Sequence, residues 1–156
     1  MYAKPFASLA TLASVVAAAP ALEHETRATT AWTATGGTEF FLGHPSLNGV
    51  EFDLSAPAGY LPDAPAFDVH CLGYYYFSGT APKGTACAWK GARPEGSSVY
   101  ASTDYYTLAV TVRHEWLAPG GTTKVNTGVG TLPARPTVGV TLDPFALQVN
   151  DTAAKL

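Results

Sequence analysis

Cys71 and Cys87 are the two cysteines of the chain, and their chemistry depends on the compartment in which the protein works. In an oxidising environment such a pair forms a disulfide, because nothing keeps the thiols reduced. A zinc site needs four ligands, and His70, next to Cys71, would point to the opposite face of a strand. A cysteine nucleophile needs a free thiolate, which an even cysteine count disfavours. We therefore predict a disulfide and no metal site.

The other side chains with catalytic potential are scattered along the sequence. The chain contains no Gly-x-Ser-x-Gly elbow, no His-Glu-x-x-His motif and no Gly-rich phosphate loop. Asp53, Asp68 and Glu115 fall in different predicted strands and could form a carboxylate pair of the glycosidase kind. His114 falls on the apolar face of its strand, where a hydrogen-bonded core histidine is commoner than a general base. We predict no catalytic residue and no cofactor.

A run of aromatic residues offers a binding surface instead. Tyr74, Tyr75 and Tyr76 are consecutive, and they cannot all face inward because side chains alternate along a strand. At least one of these rings is expected at the surface. The aromatic cluster continues with Phe77, and Trp89, Tyr105 and Tyr106 lie nearby in sequence. The predicted binding surface is Tyr74, Tyr75, Tyr76 and Trp89, with Phe77 as a further contact. The alternative is a sheet face that simply tolerates tyrosine.

The first residues predict the secretory compartment on which the disulfide depends. Residues 1–18 carry one positive charge, Lys4, followed by small and apolar residues, and no acid occurs before Glu23. This pattern is typical of a signal peptide, and its apolar run is too short to span a bilayer. Residues 19–30 are interpreted as a linker or pro-segment and residues 31–156 as one domain. We expect a secreted, extracellular protein with no membrane span.

Composition limits the classes of partner. The formal net charge is -3, and the 9 Lys and Arg residues are scattered along the chain. Nucleic acids and anionic membrane surfaces are therefore poor candidate partners. Because 47% of the residues are hydrophobic and only 13% are charged, the chain is expected to fold into one domain with a core.

Turn residues and two-residue periodicity predict the fold class. The chain has 15 Gly and 12 Pro spread along its length, which favours short strands joined by turns. Apolar and polar residues alternate over residues 49–55 and 105–116, and the latter is the clearest strand. Residues 123–133 follow a Pro-Gly-Gly turn and are expected to complete a hairpin with it. We predict an all-β fold, a single compact antiparallel β-barrel or sandwich of about 8–10 short strands.

One site of modification is predicted near the end of the sequence. Asn150 begins the sole Asn-x-Ser/Thr sequon and is expected to follow the last strand, in an exposed position. Occupancy by an N-linked glycan is one outcome. The other is that a sequon so close to the end is skipped.

The order of these features resembles the fungal AA1-like domain family, the family of the Alternaria major allergen. The resemblance covers roughly residues 39–149 and rests on "GVEFDLSAPAG" (49–59), "FDVHC" (67–71), the gap to Cys87 and "TKVNTGVGTLP" (123–133). It implies a small secreted β-barrel without an established catalytic site, acting as an allergen-like or effector-like factor. The chain lacks the second cysteine pair and the N-terminal cysteine of the allergen pattern, so no disulfide-linked dimer is expected.

Three classes of function follow. The first is a secreted, non-enzymatic protein that binds an unknown host or extracellular partner, as the resemblance implies. The second is a β module that binds a glycan or a small phenolic ligand, and the third is a small secreted hydrolase. Depletion onto insoluble polysaccharide would separate the second class from the first.

Overall fold

The chain folds into a barrel of antiparallel strands closed by one parallel pair. The computed structural model describes residues 31–43, 48–77 and 79–150, so the predicted signal peptide (1–18) and linker (19–30) lie outside the described residues. The described part contains nine strands: β1 (Ala31–Phe41), β2 (Asn48–Ala56), β3 (Phe67–Tyr76), β4 (Thr85–Ala86), β5 (Ala88–Trp89), β6 (Ser98–Asp104), β7 (Ala109–Leu117), β8 (Thr123–Thr131) and β9 (Phe145–Asn150).

Seven of these strands form the barrel, in the order β3-β6-β7-β8-β9-β1-β2 and back to β3. The pairs are antiparallel except β3–β6, in which Tyr74, Tyr75 and Tyr76 lie beside residues 102–104 in parallel register. The two-residue strands β4 and β5 pair outside the barrel with β6 and β3. The predicted all-β barrel class is confirmed.

Alternation along the strands places one set of side chains inside the barrel. In β7 the buried residues are Val110, Val112, His114 and Trp116, with half-buried residues between them. The same pattern in β2 and β3 buries a continuous apolar core. The interior is therefore a packed core, in which each inward side chain contacts several strands.

The predicted strand at residues 105–116 begins too early, since β7 starts at Ala109. The physical reason is Asp104, whose Oδ1 accepts hydrogen bonds from the amides of Tyr106 (2.8 Å) and Thr107 (2.7 Å). A short acidic side chain that bonds to the following amides favours a turn over a strand. Residues 105–107 therefore form the β6–β7 turn.

The two ends of the barrel are covered differently. At the end where β3 and β6 begin, the loop of residues 57–66 packs Tyr60 and Leu61 against the core. At the opposite end the segment of residues 132–144 crosses beside β1, where the Leu142 amide donates to the Gly37 carbonyl (2.6 Å). We call the end covered by residues 57–66 the capped end, and the end beside which residues 132–144 cross the open end.

The disulfide between Cys71 and Cys87 is confirmed, with an S–S distance of 2.08 Å. Cys71 lies in β3 and Cys87 lies between β4 and β5, where its amide donates to the Val99 carbonyl of β6 (2.8 Å). Both cysteine sulfurs of the chain are engaged in this bond. It is compatible with an extracellular protein.

Within residues 31–43, 48–77 and 79–150, no helix is long and apolar enough to cross a membrane.

Candidate functional site

The structure separates the four residues of the predicted binding surface. Tyr75 is buried, and Tyr74 and Tyr76 are half-buried on the outer side of β3. Trp89, also half-buried, pairs with Val69 near the other end of β3. Since Tyr74 lies five residues beyond Val69, the tyrosines and Trp89 are about 17 Å apart along the strand. They belong to two different regions of the surface.

Tyr75 supports the open end from inside. Its hydroxyl donates to Glu39 Oε1 (3.4 Å), and burial raises the pKa of the phenol well above its ordinary value. Its ring contacts Tyr105 edge to face, with the centroids 5.3 Å apart. Tyr75 is therefore an uncharged, buried side chain that supports the more exposed ring of Tyr105.

Three aromatic side chains at the open end form what we call the aromatic rim: Phe77, Tyr105 and Tyr106. Phe77 is 50% exposed and Tyr106 is 67% exposed. The centroid of Phe77 lies 5.0 Å from that of Tyr105 and 6.1 Å from that of Tyr106, and the two tyrosines are 5.5 Å apart. The rim is thus one contiguous patch. The sequence analysis named Phe77 as a contact, but it noted Tyr105 and Tyr106 only as neighbours of the predicted surface.

The backbone beneath the rim is held by several hydrogen bonds. Asp104 caps the turn, and these amide hydrogen bonds lower the pKa of its carboxyl. The Tyr105 amide donates to the Tyr76 carbonyl (3.1 Å), and the Leu108 amide to the Asp104 carbonyl (3.0 Å). Leu108 has a φ of 59°, the left-handed region that side chains seldom adopt. A turn fixed in this way presents its rings with little freedom to lose on binding.

Other side chains lie at the same end of the barrel as the rim. Arg135 lies over the Tyr105 ring at 5.0 Å, a cation–π contact from the segment that crosses the open end. The same segment pairs Val138 with Glu39 of β1. The exposed large apolar side chains of this end are Phe41, Leu42, Phe77, Tyr105, Tyr106, Val138 and Val140.

Trp89 borders a groove on the other side of the molecule. A depression of about 400 Å³ is lined by Trp89, Phe67, Ser55 and Asp68 among others. A second depression of about 280 Å³ shares Ser55 and Asp68 and continues toward β1. We call the two together the Trp89 groove.

Of the carboxylates suggested as a catalytic pair, Asp53 and Asp68 meet at Lys90, and Glu115 lies apart from them. Asp53 and Asp68 both face Lys90, whose Nζ lies 2.7 Å from Asp53 Oδ2 and 4.0 Å from Asp68 Oδ1. Hydrogen bonds from Lys90 and then His70 lower the pKa of Asp53, which favours its ionised form over the proton donor that glycosidases need. Glu115 lies on β7, where it pairs with Arg113 (2.7 Å) and Lys83 (3.2 Å).

His114 is a core histidine with both ring nitrogens hydrogen-bonded, as the sequence predicted. Nδ1 lies 2.7 Å from the Tyr60 hydroxyl, and Nε2 lies 2.7 Å from Ser97 Oγ. Burial lowers its pKa to about 4, so the ring is neutral at pH 7. The Ser97–His114 contact has the spacing of a nucleophile and its base, but both side chains are fully buried. Its role in this position is structural.

Asn150 is the last residue of β9 and pairs with Thr127. The expectation that it follows the last strand is therefore wrong. Residues 151 and 152, which complete the sequon, lie outside the described residues, and glycosylation stays a prediction.

Neither a metal site in the described residues nor a similarity to known proteins points to a function. Within the described residues, no three His, Cys, Asp or Glu side chains are grouped so that they could hold a metal ion. No family model matches the chain, and no curated protein or solved structure matches it.

Proposed function

We propose that the protein is a secreted, non-enzymatic binding protein of the fungal AA1-like type, and that it binds an extracellular or host protein through the aromatic rim. The observation that supports this most is the exposure of Phe77, just after the end of β3, and of Tyr105 and Tyr106, on a capped turn, as one patch. A contiguous exposed apolar patch on a folded domain is characteristic of an interaction site. Tyrosine and other aromatic residues often dominate binding energy because they bring large area with few rotatable bonds.

The shape of the rim favours a protein over a small ligand. Its three rings meet at steep or tilted angles, with interplanar angles of 43° to 82°, and they are exposed at one end of the barrel. Small molecules prefer concave sites that bury most of their surface. An exposed aromatic patch of this kind suits a contact with a larger partner.

Secretion is supported by the disulfide together with the signal-like residues 1–18. The family assignment is supported by the sequence features from residue 39 to residue 149 and by the barrel class. Secretion and the family assignment are independent, so either one can fail while the other holds.

Affinity capture with the mature protein tests the proposal. Three baits are incubated with extracellular fluid from a host plant: the parent protein, the rim variant Phe77→Ala/Tyr106→Ala and the control Leu117→Ala. The captured partner is then purified, and its affinity for each bait is measured by titration. Leu117 is a matched control because it is also 50% exposed but ends β7 at the capped end. We expect the rim variant to bind the partner at least about thirtyfold more weakly and the control to bind normally.

Two results would contradict the proposal. One is equal affinity of the rim variant and the parent protein while the circular dichroism spectra agree. The other is turnover of glycan or ester substrates that is lost on changing Asp53, Asp68 or His114, which would make the protein an enzyme.

A further inference from the structure

We infer that the Trp89 groove is a second binding site, independent of the rim, and that it takes a neutral oligosaccharide. The groove runs over the outer faces of β1, β2 and β3 and ends at Trp89 of β5, which shares the inward face of its pair partner Val69 and packs partly against the core. Two strand spacings of about 4.8 Å separate β1 from β3, so this outer part is about 10 Å long, enough for a short oligosaccharide.

Register places polar side chains in two rows along this groove. Thr33 of β1 pairs with Ser55 of β2, which pairs with Asp68 of β3. In the neighbouring row Thr35 pairs with Asp53. Because paired residues share a face of the sheet, each row points outward, and each combines hydroxyl groups with one carboxylate. Such a surface both donates to and accepts from sugar hydroxyls.

One end of the rows meets the half-buried ring of Trp89, whereas Phe67 in the same depression is a core residue that is only 3% exposed. Trp89 and Phe67 line the larger depression together with Ser55 and Asp68. Aromatic rings pack against the C–H faces of a sugar while neighbouring polar groups hold its hydroxyls, and this combination of apolar wall and few polar groups is typical of ligand sites. Gly91 lines the same depression.

Trp89 is fixed before any ligand arrives. The disulfide of Cys87 holds the start of β5, and the Lys90 amide after Trp89 donates to the Asp68 carbonyl (3.0 Å). Since both flanks are tied to β3, a bound ligand pays little for ordering this segment.

The charges of the groove favour a neutral ligand over an anion. Lys90 is 2.7 Å from Asp53, so its charge is already compensated. The Asp68 side chain is 62% exposed and its nearest cation, Lys90, is at 4.0 Å. An anionic ligand would meet the exposed carboxylate of Asp68, whereas a sugar hydroxyl can donate to it in a strong charge-assisted hydrogen bond.

The protein offers a direct optical test. Of its three tryptophans, Trp32 and Trp116 are buried, so acrylamide in solution quenches chiefly the fluorescence of Trp89. We expect chitohexaose, laminarihexaose or cellohexaose, titrated to about 10 mM, to reduce this quenching in a saturable way. Asp68→Asn keeps the size of the side chain and should weaken the apparent affinity about tenfold. Phe77→Ala/Tyr106→Ala should bind as the parent protein does.

The inference fails if none of the three oligosaccharides protects Trp89 at that concentration. It also fails if Asp68→Asn binds as tightly as the parent protein, since the ligand would then lie elsewhere. Stronger protection by the cationic chitosan hexamer than by chitohexaose would overturn the neutral ligand in favour of a cation. Because the rim is unchanged in Asp68→Asn, none of these results bears on partner capture.

Discussion

Acidification should destabilise this protein through His114. The ring is buried and neutral, and its contacts are the Tyr60 and Ser97 hydroxyls and the aromatic side chains of Phe67 and Trp116. None of these neighbours is an acid that could balance a positive charge. Burial lowers its pKa from the ordinary 6.5 to about 4.

The size of the effect follows from proton linkage. Between pH 6.5 and pH 4 the unfolded chain binds a proton at His114 and the folded chain does not, so unfolding is favoured as the pH falls. A difference of about 2.5 pKa units corresponds to about 3 kcal/mol of unfolding free energy. This contribution is complete above pH 6.5 and is lost progressively down to pH 4.

Urea denaturation at pH 7, 6, 5 and 4 measures it, with the signal from the buried Trp32 and Trp116. The reference is His114→Gln, which has no titrating ring and keeps an amide for the same hydroxyls. The carboxyls of Asp53 and Asp104 also have lowered pKa values, but they are present in both proteins and cancel in the difference. The stability advantage of the parent protein should shrink by about 3 kcal/mol from pH 7 to pH 4. An advantage that stays constant over this range would refute the account of a buried neutral histidine.

The other predictions concern the disulfide, the rim and the sequon. Cys71→Ser should lower the unfolding free energy by about 2–5 kcal/mol, and thiol titration of the denatured, unreduced parent protein should detect none; one titratable thiol per chain would contradict the disulfide. Asp104→Ala should remove the cap of the β6–β7 turn and speed hydrogen exchange at the Tyr106 and Thr107 amides, with little change at core amides; unchanged exchange would show that Asp104 does not hold the turn. Endoglycosidase treatment should increase the mobility of the secreted protein if Asn150 carries a glycan, and unchanged mobility would count against it.

Two-residue periodicity predicted the barrel class because burial on one face is a local property of each strand. It correctly placed Val110, Val112 and His114 on the inner face of β7. It could not predict the parallel pairing of β3 with β6, since closure depends on which distant edges meet rather than on the sequence of either strand.

The binding surface was harder to predict, because the exposure of a ring also depends on which strands lie beside it. The three consecutive tyrosines attracted attention, yet β3 lies between β2 and β6 and its rings are largely covered. Phe77 follows the end of β3, but Tyr105 and Tyr106 come from a turn whose signal was Asp104 before them, because aspartate commonly begins turns. A strand assignment that ended at Asp104 would have found them. Tyr60 and Ser97, the partners of His114, lie outside the strands, and no spacing rule connects them with it.

The place of β9 in the barrel has a consequence for how the chain folds. β9 lies between β8 and β1, so the last described strand must join the first before the ring can close. Contacts between such distant residues form slowly, and the barrel is expected to fold on a timescale of about milliseconds to seconds. A growing chain cannot complete the barrel on the ribosome until residue 150 has emerged. Until then β1 and β8 present unpaired edges, and these are the segments through which an incomplete or truncated chain would aggregate.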